Sequence, residues 1–215
     1  MGLLKILPRS IRMAFLYAKS KKIAADKSLS REKRVEAIRK KEKSWIGTPN
    51  DILKGTGEQD AAIAIGFRDM AKIYTSLEAP DDALRFLDAV EKSFPSIVEY
   101  KKQNETVFEA YLFSLLYRGI AYAQKGQIDG CQKQFDLLNR KLNEAISADP
   151  SNTRIQDVYH YCNKQIFSAY MSIADKYSDL KQQAYHTCLN QFKEFDGRDP
   201  NNEQIQDFIS RFTMS

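Results

Sequence analysis

The chain has 215 residues, of which 33 are basic and 28 acidic, so its formal net charge is +5. The hydrophobic fraction of 43% excludes a wholly disordered chain, and the low counts of nine glycines and six prolines argue against a loop-rich or many-stranded fold. Three cysteines are too few for a disulfide framework, which favours a reducing compartment.

Charge is unevenly distributed along the chain. Residues 1–50 hold 14 basic and 4 acidic residues, whereas residues 51–215 hold 19 and 24. The net charges of the two parts are therefore +10 and −5. Pro49 and the glycines between Gly47 and Gly57 mark a flexible joint at the same place. We predict a basic N-terminal helical arm over residues 1–50 and a helical repeat domain over residues 51–215.

The N-terminus mixes basic and apolar residues, and its first acidic residue is Asp26. No apolar run approaches the roughly 18 residues that a membrane span needs. Three interpretations remain open for this amphipathic segment. It packs on its own body, it lies in a membrane interface, or it is an organelle transit peptide that is removed.

Prolines and apolar spacing divide the rest of the chain into helices. Apolar residues recur every three or four positions, as in Ile155, Val158 and Cys162, and strict alternation is absent over any useful length. Thr153 and Gln156 have the spacing of a capping box. The predicted helices cover residues 10–25, 29–46, 58–78, 80–94, 103–125, 128–148, 152–176, 178–196 and 201–212, the last as a C-terminal capping helix. We predict an all-α fold of antiparallel helical hairpins.

Three segments share a pattern of large, small and aromatic residues. The members are Phe67, Met70, Ala71, Tyr74, Ala83, Leu87, Val90 and Pro95; Leu115, Gly119, Tyr122, Gly126, Cys131, Phe135 and Pro150; and Tyr170, Ile173, Ala174, Tyr177, Ala184 and Pro200. This pattern resembles the tetratricopeptide repeat, although the matched tyrosines are 48 and 55 residues apart rather than about 34. The resemblance implies a superhelical array with lengthened helices over about residues 58–200. The alternative is an irregular helical bundle.

The resemblance also implies a binding surface. In that family the first helices of the hairpins line a concave groove that binds peptides or protein segments. By resemblance, the groove residues here are Arg68, Lys72, Thr75, Leu116, Ile120, Gln124, Met171 and Asp175. Tyr117 stands where members that grip a C-terminal carboxylate have an asparagine, so we do not expect that specific activity.

The basic arm is a second predicted surface. Its cations are Lys5, Arg9, Arg12, Lys19, Lys21, Lys22, Arg31, Arg34, Arg39, Lys40, Lys41 and Lys43. Such a segment favours phosphate backbones, anionic lipid or acidic protein surfaces. Because few aromatic residues interleave with the lysines, we favour a membrane or protein contact over nucleic-acid recognition.

The sequence shows little catalytic chemistry. His160 and Cys162 repeat the spacing of His186 and Cys188, but residues two apart on a helix point in nearly opposite directions and cannot converge on one metal ion. The cysteines belong to the apolar stripes, and we expect them to be buried. No phosphate-binding loop or nucleophile elbow occurs. We therefore expect no enzyme activity, no metal or other cofactor and no small-molecule substrate.

These features predict a non-enzymatic scaffold or adaptor that binds protein partners through the groove. The arm would dock it to an anionic membrane or to an acidic component of a larger assembly, in the cytoplasm or at the membrane periphery. In the alternative, the arm is the main binding element of a membrane- or nucleic-acid-associated factor. A third reading is an organelle-targeted protein whose arm is cleaved.

Overall fold

The computed structural model describes residues 7–53, 61–91 and 105–193, together with Glu203 and Asp207. In chain order the elements are α1 (Arg9–Ala25), α2 (Arg31–Trp45), α3 (Pro49–Leu53), α4 (Ala61–Ser76), α5 (Pro80–Glu91), α6 (Glu105–Gln124), α7 (Ile128–Ala148), α8 (Thr153–Lys176), a 3₁₀ turn (Ser178–Leu180) and α9 (Lys181–Lys193). No strand occurs within these ranges, and the all-α prediction is confirmed.

Proline and cap residues set the helix boundaries. Pro49 and Pro80 each stand at the first position of a helix, where the missing N–H leaves no hydrogen bond unmade. Helix α8 begins one residue later than predicted: the side chain of Asn152 accepts the N–H of Ile155 at 3.1 Å, so Asn152 rather than Thr153 is the cap. The predicted terminators Pro95 and Pro200 lie outside the described residues, as does most of the predicted helix over 201–212.

Contacts along the chain form two compact units, Met1–Ala121 and Tyr122–Ser215. The sign of the charge changes near residue 50, within the first of these units. In that unit α1 packs against α2 and α4, α4 packs against α5, and α3 also contacts α5.

Aromatic rings fill the core of the first unit. The ring centroids of Phe67 and Phe86 lie 5.5 Å apart, and those of Tyr74 and Phe86 lie 5.9 Å apart. Gly66 allows α1 to approach α4 closely, because a Cβ atom there would meet Met13 at 3.2 Å. The packing of this core therefore depends on α1.

In the second unit α8 packs against α7 and α9, and α9 also contacts α7. The rings of Phe135 and Tyr170 lie 5.7 Å apart in its core. Gly126 ends α6 at a φ of +68°, a conformation that glycine adopts without steric cost. The ring of Tyr177 covers this turn, and its hydroxyl donates to the carbonyl of Gln124 at 2.7 Å.

Packing of the first repeat-like segment follows its pattern. Its members in the described ranges are all buried: Phe67, Met70, Ala71, Tyr74, Ala83, Leu87 and Val90. The small residues Ala71 and Ala83 are completely covered, as expected where two helices approach closely. The superhelical arrangement remains a prediction.

Candidate functional site

The N-terminal helices α1 and α2 are packed into the first unit, and they form the candidate site. One side of α1 is buried through Met13, Leu16 and Ser20. Helix α2 begins at the cap Ser30, which accepts the N–H of Lys33, and it buries Val35, Ile38 and Glu42. Of the three interpretations left open by the sequence, packing on the body describes the inner side of this segment.

Two arginines join α1 to α2 through backbone carbonyls. Arg34 donates to the carbonyl of Ala24 at 2.7 Å, and Arg12 donates to the carbonyl of Trp45 at 3.2 Å. Carbonyl groups near a helix end lack intrahelical donors, so cations are favourable there. These contacts fix the two helices antiparallel to each other.

A buried carboxylate, Glu42, joins α2 to the rest of the unit. Its side chain is only 3% exposed. It accepts a hydrogen bond from the Tyr74 hydroxyl on α4 at 2.9 Å, and both Nη atoms of Arg85 on α5 bind its two oxygens, Nη2 at 2.9 Å. A buried charge is tolerated when it is paired and hydrogen-bonded in this way.

A second buried carboxylate, Asp82, extends the network. Arg39 of α2 binds it in a two-point fork, with Nη2 at 2.6 Å and Nε at 3.0 Å, and Arg85 reaches it at 3.2 Å. The planar guanidinium group matches this geometry, which lysine cannot reproduce. Asp82 lies in the first turn of α5, where a negative charge also favours the helix dipole.

The network changes the proton affinity of its members. Burial, with the charge and hydrogen bond of Glu42, raises the pKa of Tyr74. Burial by itself would lower the pKa of Arg85, but the hydrogen bond and charge of Glu42 outweigh it and raise that pKa. The hydrogen bond to Asp82 raises the pKa of Arg39. Both guanidinium groups therefore remain charged, and Tyr74 remains neutral at physiological pH.

A cleft of about 320 Å³ lies beside the network, between α2 and the turn that joins α4 to α5. Arg31 and Arg39 line one part of it, and Glu78, Asp81 and Asp82 line another. Arg31 forms an ion pair with Glu78 at 2.5 Å. Since the cleft carries charges of both signs that already pair with each other, its chemistry selects neither an anion nor a cation.

The arm's lysines are placed differently from its arginines. Lys40 pairs with Glu36 one helical turn away at 2.8 Å. Five more lysines of the predicted set form no ion pair with a described residue: Lys19, Lys21, Lys22, Lys41 and Lys43. All of them are exposed except Lys41, which is half-buried, and Arg9 is half-buried as well. The remaining predicted cation, Lys5, lies outside the described residues.

The predicted groove residues differ widely in exposure. Lys72 and Asp175 are exposed, whereas Arg68, Ile120, Gln124 and Met171 are half-buried and Thr75 and Leu116 are buried. Arg68 lies over the ring of Phe113 at 5.7 Å and pairs with Asp69 at 2.8 Å. Of the two cations predicted for the groove, Lys72 is thus the exposed one.

The cysteines and histidines lie where their positions in the sequence placed them. Cys131, Cys162 and Cys188 are buried free thiols, whereas His160 and His186 are exposed. Among the described residues, no group of three or more possible ligands is placed to hold a metal ion. In the same ranges no helix is long and apolar enough to cross a bilayer.

Sequence reasoning missed the carboxylates that hold the arm. Glu42 is one of four acidic residues among many lysines and arginines, and Asp82 falls at the start of a predicted helix, so neither stands out in the sequence as a buried charge. Arg85 was not considered. One signal was present, because Glu42 continues the apolar spacing of Val35 and Ile38 and so falls on the buried side of α2.

Comparison with known proteins gives no neighbour for this chain. No family model matches it, and no curated protein and no solved structure is detectably similar to it.

Proposed function

We propose that the protein is a non-enzymatic adaptor. In this proposal its N-terminal helices attach it to an anionic surface, and its helical hairpins, which resemble tetratricopeptide repeats, hold a protein partner. The attaching surface is an anionic membrane or an acidic component of an assembly. A nucleic acid is a less favoured partner, because the arm offers few aromatic side chains for base stacking.

The observation that carries the proposal is the separation of arginine from lysine in the arm. Arg31 and Arg39 pair with Glu78 and Asp82 of the body, so their charges are largely compensated. Lys19 and Lys22 are exposed on α1 and have no ion pair with a described residue. An uncompensated basic surface on a firmly seated helix attracts polyanions.

The packing of α1 also supports the proposal that the arm stays in the mature protein and is not removed as a targeting peptide. Met13 and Leu16 are 1% and 0% exposed, and removal of α1 would uncover the apolar side of α4 beside Gly66. Deletion of residues 1–50 would therefore damage the fold as well as remove the charge. Point substitutions of exposed lysines are the appropriate test.

The attachment is tested on immobilised heparin, which serves as a general polyanion. We expect the Lys19→Gln/Lys22→Gln variant to elute at clearly lower salt than the unmodified protein. The Lys133→Gln/Lys164→Gln variant has the same net charge, and its substitutions are at exposed positions of α7 and α8. Equal shifts for the two variants would show that net charge alone controls binding, and they would contradict attachment through α1.

The partner surface is tested with Lys72, the exposed cation of the first predicted groove helix. Lys72→Glu is compared with Lys133→Glu by quantitative affinity purification of the full chain from its own cells. We expect one protein to be depleted with Lys72→Glu and retained with Lys133→Glu. An unchanged set of co-purifying proteins would remove Lys72 from the groove.

A further inference from the structure

The outer side of α1 carries an exposed apolar pair. The side chains of Ile11 and Phe15 are 41% and 50% exposed. They are four residues apart and therefore neighbours on one side of the helix. Ala14 and Ala18 are exposed beside them, while Met13 and Leu16 face the core. Helix α1 is thus apolar on both sides, and only one side is covered by the described residues.

Basic residues accompany this apolar side. Helix α1 contains two arginines, three lysines and no acidic residue. At 100° per residue, Lys22 points in a direction between those of Ile11 and Phe15, and it lies about two turns beyond Phe15. Lys19 and Lys21 point to the two edges of this apolar side of the helix. All three lysines are exposed. This side of α1 therefore combines exposed apolar side chains with long cationic ones.

We propose that this side of α1 lies in the headgroup region of an anionic lipid bilayer, with Ile11 and Phe15 inserted and the lysines bound to lipid phosphates and carboxylates. The inference rests on the attachment to an anionic surface proposed above and names the lipid bilayer as that surface. Nucleic acid would use the lysines and leave the apolar pair in water. A bilayer interface takes up both kinds of side chain on one helix.

The fold permits this contact without rearrangement. Helix α1 is about 25 Å long at 1.5 Å per residue, and its inner side is fixed by Met13, Leu16 and the hydrogen bond from Arg12 to Trp45. Ile11 and Phe15 are exposed while this inner side stays packed, so the contact needs no change in the packing of α1 on α2 and α4. Lysine side chains are long enough to reach the headgroups from positions beside the inserted residues.

The test is sedimentation of the full chain with phosphatidylcholine vesicles that contain either no phosphatidylserine or about 30% of it. We expect binding to the anionic vesicles and little binding to the neutral ones. Ile11→Ser/Phe15→Ser should weaken binding about tenfold or more, because both insertions are lost. Lys19→Gln/Lys22→Gln should weaken it about 25-fold, from a factor of about five per lysine.

Two matched controls keep these results specific. Tyr161→Ser changes another exposed aromatic side chain, on α8, and Lys133→Gln/Lys164→Gln removes the same charge elsewhere. Both should bind as the unmodified protein does. With anionic vesicles, a Phe15→Trp variant should show a larger blue shift of its fluorescence than the unmodified protein, whose only tryptophan is Trp45, and this difference reports insertion.

The outcomes separate this inference from the proposed function. Anionic vesicle binding that survives Ile11→Ser/Phe15→Ser unchanged would overturn insertion and leave attachment by charge alone. Heparin binding without vesicle binding would overturn the lipid assignment in favour of an acidic protein or nucleic acid. If the unmodified protein binds neither heparin nor the vesicles, the attachment to an anionic surface is itself refuted.

Discussion

Replacing Glu42 with glutamine tests whether the buried ion pairs hold α2 on the body. Glutamine keeps the size and shape of the side chain and can still accept the Tyr74 hydroxyl, but it removes the charge that faces Arg85. Breaking a buried pair by changing one partner costs about 3–5 kcal/mol. Arg85 is 39% exposed and keeps its contact with Asp82 at 3.2 Å, so the loss should be smaller.

We expect Glu42→Gln to lower the free energy of unfolding by about 2–3 kcal/mol, since the arginine left behind is partly solvated. With a urea dependence of about 1–3 kcal/mol per molar, the midpoint should fall by about 0.7–3 M. Trp45 is the sole tryptophan and lies at the end of α2, so its fluorescence in urea reports this region.

The matched control is Glu36→Gln on the same helix. Glu36 is exposed and pairs with Lys40 one turn away, so its replacement should leave the urea midpoint unchanged within the error of the measurement. A double-mutant cycle with Arg85→Gln should give a coupling of about 1 kcal/mol or more. If Glu42→Gln behaves like Glu36→Gln, apolar packing alone holds α2 and the buried ion pairs do not.

Three further predictions concern titration, backbone strain and thiol access. Because the pKa of Tyr74 is raised, its contribution to stability is complete below its unfolded pKa of about 10 and is lost as the pH rises above that value, by about 1.4 kcal/mol per pH unit. In Tyr74→Phe the urea midpoint, measured by Trp45 fluorescence, should fall less steeply with pH above pH 10 than in the unmodified protein. The same dependence on pH in both proteins would contradict this. Glu78 has a φ of +49°, which is costly for any residue with a Cβ atom. Glu78→Gly should therefore be about 1 kcal/mol more stable to urea than Glu78→Ala, since both lack the carboxylate and only alanine keeps the steric penalty. Equal urea midpoints for the two variants would show that the turn is unstrained. Burial raises the pKa of Cys131 and of Cys188, so a thiol reagent at pH 8 should modify them far more slowly in the native protein than in urea. Native labelling at the unfolded rate would show that this core is open.

The helices could be predicted from sequence because their signals are local. Prolines and apolar spacing placed the ends of α1 and α7 within one residue of those observed. Helix α3 was missed because Pro49 between two glycines resembles a linker. Its signal is the capping pair Thr48 and Asp51, in which Asp51 accepts from both the N–H and the hydroxyl of Thr48.

The attachment of the arm could not be predicted, because it depends on residues far apart in the chain. Glu42 meets Arg85 across 43 positions, and no periodicity within one helix indicates which distant charge it will face. Helix α1 poses a related difficulty. Ile11, Met13, Phe15 and Leu16 point in several directions around it, so sequence alone does not decide which side is buried. Only tertiary packing selects Met13 and Leu16 for the core.

This selection links the basic charge to the proposed function. Arg39 forks onto Asp82 and Arg31 binds Glu78 through one nitrogen, so both charges are paired within the first unit and help to fix the orientation of α2. The hydrogen bonds from Arg12 and Arg34 then fix α1 against α2, which turns Phe15 outward. The lysines remain at the surface because an ammonium group is strongly hydrated and makes no such fork. The basic residues of the arm therefore divide into arginines that hold the fold and lysines that stay at the surface. Weakening the Glu42 network should loosen α1, the helix proposed to contact a membrane, as well as the fold.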